Sequence, residues 1–221
     1  MVSDAEARPG PLHRRGDMPL LVLLLALGLS LRLVGLSAPP LDAHHVRQAD
    51  TASIARVMAR EGVTLLHPRI GWAGPDAGTV ESELPLYAAV VAMGWRVLHS
   101  EDGSVSAWPR LVSVLSWLAG AMALLAVLRR RLPSLPTWLP LLLYALSPLG
   151  VLFSRAIQPD ALAVALLLWG LERADAAGSR GPAGARAVLA AGLLFGLSIA
   201  CKGTLAFWLP LLPLLAARPT G

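Results

Sequence analysis

Six apolar runs divide this chain, at residues 20–36, 111–128, 138–153, 161–171, 187–200 and 205–217. Backbone surrounded by lipid has to satisfy its own N–H and C=O groups, so repeated apolar runs separated by charged segments read as membrane-spanning helices. A soluble globule does not fit a chain that is 55% hydrophobic and only 15% charged. Several runs are shorter than the roughly 20 residues that cross a hydrocarbon core of about 30 Å, so tilt and flanking polar residues must complete them. The expected spans are 19–36, 109–128, 136–153, 160–172, 186–201 and 203–217.

Arginine placement sets the orientation. Arg8, Arg14 and Arg15 precede the first run, which places the N-terminus in the cytoplasm. A secretory signal peptide shares that layout, but its apolar core has about 7 to 15 residues and ends at a small-residue cleavage site. This run has 17 residues and leads into Pro39 and Pro40, so it reads as an uncleaved span. Residues 84–98 are the ambiguous case. As a helix they reach only about 22 Å, and Arg96 at the bilayer centre would cost roughly 3 kcal/mol. If they do not cross, Arg129, Arg130, Arg131, Arg173, Arg180, Arg186 and Arg218 join the N-terminal arginines on the cytoplasmic side. They are therefore expected to form an interfacial helix on the outer surface.

The expected fold is all-α: a polytopic membrane helix bundle of about six spans in the plasma membrane, with both termini cytoplasmic. Residues 1–18 form a cytoplasmic tail, 19–217 the transmembrane module with an extracytoplasmic loop at 37–108, and 218–221 a short tail. A helix is expected from about Val46 to Arg60, with Gly62 as its stop. A net charge of +5 raises nucleic acid as a partner, but the arginines are scattered between apolar runs and form no basic face. Nucleic-acid binding is excluded on that ground. One lysine against 18 arginines, with abundant Leu and Ala, has the composition of a GC-rich bacterial gene. The single Cys201 excludes an intramolecular disulfide and a cysteine-rich metal site.

Charges beside spans are costly, and here they gather on the outer side. Asp42, His44, His45, Arg47, Gln48 and Asp50 follow the first span. Glu81 and Glu83 precede the interfacial helix, Arg155 and Asp160 occupy the outer turn SRAIQPD, and Lys202 with Gly203 separates the last two runs. Each has a structural alternative. Asp42 after Pro-Pro can be a turn or cap residue, Asp160 after Pro159 can simply start a helix, and Arg155 and Lys202 can snorkel at span ends. Asp42 and His45, at i and i+3, could share a metal ion, whereas the adjacent His44 and His45 diverge by about 100° on a helix. Gly192 and Gly196 form a GxxxG pair suited to helix packing.

Taken in order, Asp42 with RQADTASIAR, VESELPLY, RLVS at 110–113, SRAIQPD and GLLFGLSIACKG resemble the N-terminal half of the glycosyltransferase 39 group. That group belongs to the GT-C superfamily, with the dolichyl-phosphate-mannose protein mannosyltransferases and the lipid A aminoarabinose transferase. The resemblance spans nearly all of 18–217. It implies a membrane enzyme that takes a sugar from a polyprenyl-phosphate carrier and works on the extracytoplasmic side. It further implies Asp42 at the catalytic centre, Asp160 as a second active-site carboxylate, and Lys202 facing the lipid phosphate. Two departures stand out. Asp42-Ala43 replaces the acidic pair of many relatives, and Glu83-Leu84-Pro85 replaces the Glu-Lys-Pro of the aminoarabinose transferases, which argues against aminoarabinose as the sugar. Since the family runs to about twice this length, the chain is expected to be an N-terminal portion.

The resulting expectation is an inverting glycosyl transfer. Asp42 acts as general base toward an acceptor hydroxyl on a glycan, lipid or protein, and Asp160 orients the acceptor. Arg155 and Lys202 stabilise the departing phosphate, and Arg47 and Glu83 shape the pocket. No cofactor is expected and no residue is assigned as a metal ligand; the sequence leaves a divalent-metal requirement open. The competing readings are a multi-pass transporter, an inactive membrane fragment or assembly subunit, and a metal-dependent hydrolase using Asp42 and His45. A transporter places its polar groups at the bilayer midplane in repeated halves, and this sequence has neither feature.

Overall fold

The computed structural model describes residues 17–39, 44–72, 78–80, 83–100, 107–132, 135–177 and 182–211. Among these the protein is all-helical, with one isolated antiparallel bridge between Arg69 and Thr79. The first apolar run forms α1, Met18–Leu33, with a proline in its first turn where no helical N–H is lost. The chain then turns through Gly35 at φ +67. Helix α2, His45–Glu61, ends at Gly62, whose N–H donates to the Met58 carbonyl at φ 112. Helix α3, Leu86–Val97, starts directly after Pro85. Helix α4, Ala107–Arg131, is the longest at 25 residues.

The run expected as one span at 136–153 is two helices, α5 Trp138–Leu146 and α6 Pro148–Phe153. Pro148 lacks an N–H, and its ring drives Ser147 out of the helical region, here to φ −54, ψ 125. The Ser147 hydroxyl then accepts the Gly150 N–H and caps α6. Helix α7, Asp160–Ala176, runs past its expected end at 172, and α8 spans Pro182–Cys201. The described part of the expected last span is a 3₁₀ helix, Gly203–Leu211, with Pro210 inside it. By length and apolarity α4 and α8 can each cross a membrane, while α1 and α3 are shorter apolar helices.

Side-chain contacts between helices define two ends of the bundle. At one end Arg130 pairs with Glu172, Arg131 with Asp175 at 2.7 Å, and Arg129 donates to the Met18 sulfur at 3.4 Å. These contacts join the start of α1 to the finishing turns of α4 and α7. They also explain why α4 and α7 outrun their apolar stretches, since ion pairs across the helices reward the extra turn. The opposite end collects the finish of α1, the start of α4, the α6–α7 turn, the start of α7 and the finish of α8. Helix α3 buries Tyr87, Ala88, Ala89, Val91, Ala92 and Trp95 against α2 and α4. Gly94 lets it approach α4, because a Cβ there would lie 2.1 Å from the Trp108 ring. Residues of α2 and α3 thus cover this second end with a core of their own, at 12 residues and about 18 Å for α3. Helix α2, expected from sequence over about Val46 to Arg60, buries Gln48, Ala52, Ile54, Ala55, Met58 and Ala59.

Candidate active site

At the covered end, polar residues from five parts of the chain converge. Lys202, the residue after α8, places Nζ 2.9 Å from Oδ1 of Asp160, the first residue of α7, and each side chain retains 20% exposure. The two helices pack along their lengths, and the Ser198 hydroxyl donates to the Ala163 carbonyl at 2.8 Å one turn inside the pair. Packing one helix against the other therefore dictates the ion pair. Glu83 makes a second bridge. One of its oxygens accepts from Arg47 at 2.7 Å and the other from the Gly203 N–H at 3.2 Å, and the neighbouring Leu84 N–H donates to the Ala200 carbonyl at 2.8 Å. Four sequence-predicted residues, Arg47, Glu83, Asp160 and Lys202, thus meet around the α8 terminus.

Beside the Arg47–Glu83 bridge lies a cavity of about 620 Å³, whose wall reaches Pro159 and Cys201, the chain neighbours of Asp160 and Lys202, but not those two side chains. Arg47, Asp50, Thr51, Trp72, Glu83, Pro159 and Cys201 line it, over an apolar wall that includes Ile54, Ile70 and Tyr87. The Trp72 indole N–H donates to Asp50 at 3.3 Å. The phenol of Tyr87 sits within 2.6 Å of the Pro109 carbonyl and 2.9 Å of the Ser113 hydroxyl, and burial holds it above the usual tyrosine range. It remains a neutral packing and hydrogen-bonding group at physiological pH.

Arg155 stands on a different partner from Lys202. Its guanidinium lies against the Gly35 turn, where a Cβ would fall 3.1 Å from Nη2. Together with the positive φ, this favours glycine at position 35. The Arg155 carbonyl accepts from Arg110 at 3.0 Å, and the same guanidinium reaches the carbonyls of Ala38 and Pro39 at 3.4 and 3.3 Å. On the far side of Asp42, the His44 ring packs on Phe153 with centroids 5.4 Å apart. Asp42 itself lies outside the described residues. Of its described flanks, Pro39 shares Arg110 with the Arg155 carbonyl, and His44 packs on Phe153, the residue before the turn that ends in Asp160.

Several organising residues were not singled out from sequence. Arg32, fully buried in α1, donates to the Gly28 and Ala145 carbonyls at 2.8 Å and to the Ser154 hydroxyl at 2.5 Å, and lies 3.9 Å over the Trp117 ring. Ala145 precedes the Pro148 break, so Arg32 supplies a donor where a helical N–H is displaced. A charged residue inside an apolar run was the available signal. Gln48, Arg110 and Ser113 lie within the motifs quoted above, but only tertiary structure reveals their partners. Among the described residues no three His, Cys, Asp or Glu side chains stand close enough to hold a metal ion. Comparison of the chain with protein-family models, curated proteins and solved structures returned no match.

Proposed function

We propose that the protein is a membrane glycosyltransferase that moves a sugar from a polyprenyl-phosphate carrier to an acceptor hydroxyl on the extracytoplasmic face. The observation that carries this reading is the meeting of Asp160, Lys202, Arg47 and Glu83 beside a cavity at the bundle end to which both flanks of Asp42 are tied. A transfer of this kind needs a base for the acceptor and a cation for the leaving phosphate, held apart until substrate arrives. Asp42 takes the acceptor proton, the acceptor oxygen bonds to the anomeric carbon as the carbon–oxygen bond to phosphate breaks, and the configuration inverts. The polyprenyl phosphate leaves with that electron pair. Lys202, held on Asp160 in the free protein, shifts toward the phosphate. Asp160, released from it, orients the acceptor through Oδ1 and leaves Oδ2 for the donor sugar. Arg155 supplies the second cation, from the other side of the turn. Arg47 and Glu83 close the cavity toward solvent.

The accompanying topology has six spans in the plasma membrane, with the N-terminus cytoplasmic. The clustering of Arg129, Arg130, Arg131 and Arg173 at the end opposite the cavity supports it through the positive-inside preference. The reading is tested with purified protein in proteoliposomes supplied with a polyprenyl-phosphate donor carrying labelled sugar and a membrane extract as acceptor source. Label moving into acceptor is expected, and no transfer or hydrolysis with any polyprenyl-phosphate hexose or pentose overturns it.

A further inference from the structure

The α6–α7 turn combines an unusually fixed backbone with unfilled side-chain atoms. The Ser154 hydroxyl is held by Arg32, the Arg155 carbonyl by Arg110, the Ala156 carbonyl by Ser113 at 2.6 Å, and the Ile157 N–H by the Gln48 side chain at 2.9 Å. Four side chains from three other helices therefore pin four consecutive residues. Yet in the same turn Nε of Arg155, Nε2 of Gln158 and Oδ2 of Asp160 are buried without a hydrogen-bond partner. Gln158 is only 1% exposed. Buried polar atoms are nearly always paired, and leaving one unpaired costs about 1–3 kcal/mol. Three of the six such atoms found among the described residues fall in this one rigid turn, and Pro159, between two of them, lines the cavity.

Resting on the glycosyltransferase reading, we infer that Gln158 is a donor-binding residue: its amide N–H and Arg155 Nε contact oxygens of the lipid-linked sugar phosphate, while Asp160 Oδ2 accepts a sugar hydroxyl. The inventory of free atoms sets the ligand chemistry. Two donors, one of them cationic, require acceptor oxygens with negative charge, and one carboxylate oxygen requires a hydroxyl donor. A phosphate with an attached sugar offers both; inorganic phosphate meets the donors but brings neither a sugar hydroxyl for Asp160 nor a lipid chain.

Gln158→Met tests this, because methionine matches the length of glutamine and carries no N–H. If Gln158 were only a buried polar side chain, removing its unpaired donor would leave stability equal or improved and ligand binding untouched. The wild-type protein and the variant are placed in nanodiscs, and thermal unfolding and binding are measured with a polyprenyl-phosphate hexose, with polyprenyl phosphate alone and with inorganic phosphate. The expected result is a variant that unfolds at or above the wild-type temperature but binds the polyprenyl-phosphate hexose roughly tenfold or more weakly. Wild-type binding should fall in the order polyprenyl-phosphate hexose, polyprenyl phosphate, inorganic phosphate. Equal affinities of wild type and Gln158→Met for the polyprenyl-phosphate hexose would overturn the role of Gln158 and leave the glycosyltransferase reading standing. No wild-type binding of either lipid would overturn both. Inorganic phosphate binding as well as the lipids would overturn the assignment to a lipid-linked sugar.

Discussion

Replacing Lys202 by Met removes the cation that holds Asp160, and the geometry sets the size of the effect. At 2.9 Å the gross attraction is about 6 kcal/mol for an effective dielectric constant near 20, most of it offset by desolvation of the two groups. Exposed pairs contribute about 0–1 kcal/mol, whereas breaking a fully buried pair costs about 3–5 kcal/mol. With 20% exposure on each side chain, this pair falls between, and Lys202→Met should cost about 2 kcal/mol. The loss is enlarged because Oδ2 of Asp160 is already without a partner, so the substitution leaves the whole carboxylate unpaired. Asp160→Asn keeps an acceptor for the ammonium and should cost about 1 kcal/mol. The double variant should be less destabilised than the sum, with a coupling energy of about 1–2 kcal/mol. Equilibrium unfolding in detergent micelles, completed as a double-mutant cycle, measures it. Strictly additive losses, or a neutral Lys202→Met, would show that the pair does not hold α7 to the end of α8.

Other substitutions probe the scaffold and its orientation. Gly94→Ala should destabilise by about 2–4 kcal/mol in the same unfolding assay, because the new methyl meets the rigid Trp108 ring, whose indole N–H is committed to the Val91 carbonyl at 3.1 Å. Arg32→Met should cost about 2–4 kcal/mol by leaving the Ala145 carbonyl without a donor beside the Pro148 break, measured as loss of thermal stability. For sidedness, in a Cys201→Ser background, cysteines at Asp76 and Ser82 should react with a membrane-impermeant thiol reagent on intact cells, and one at Gly181 should not. Labelling at Gly181 would invert the topology.

Much of the helical plan was legible because apolarity and backbone restrictions act locally. The stop at Gly62 and the shortness of α3 follow from glycine's freedom and the length of the run. The split of 138–153 was signalled by Pro148 but hidden by an apolar run continuous across it. The extra turns of α4 and α7 were not legible, because Arg130 and Arg131 find Glu172 and Asp175 only after the helices pack. At the site, the sequence indicated which charged residues gather at one end, since charges near apolar runs are confined to run ends. It did not reveal who pairs with whom. Lys202 and Asp160 were assigned to different substrate groups, yet in the free protein they neutralise one another, a relation set by α7–α8 packing. Arg32 and Arg110 were passed over, and Gln48 was named without a role, for the same reason: each contacts backbone carbonyls, hydroxyls or N–H groups that are distant in sequence and carry no side-chain signature.

The central claim, that a carboxylate at this end activates the acceptor, is tested most directly by Asp42→Asn. Asparagine preserves size and removes the base. In proteoliposomes supplied with labelled polyprenyl-phosphate sugar and acceptor, the account predicts a fall in the transfer rate of roughly 10²-fold or more, with unfolding temperature and lipid-donor binding unchanged. Transfer at the wild-type rate by Asp42→Asn would contradict it and leave Asp42 a turn residue.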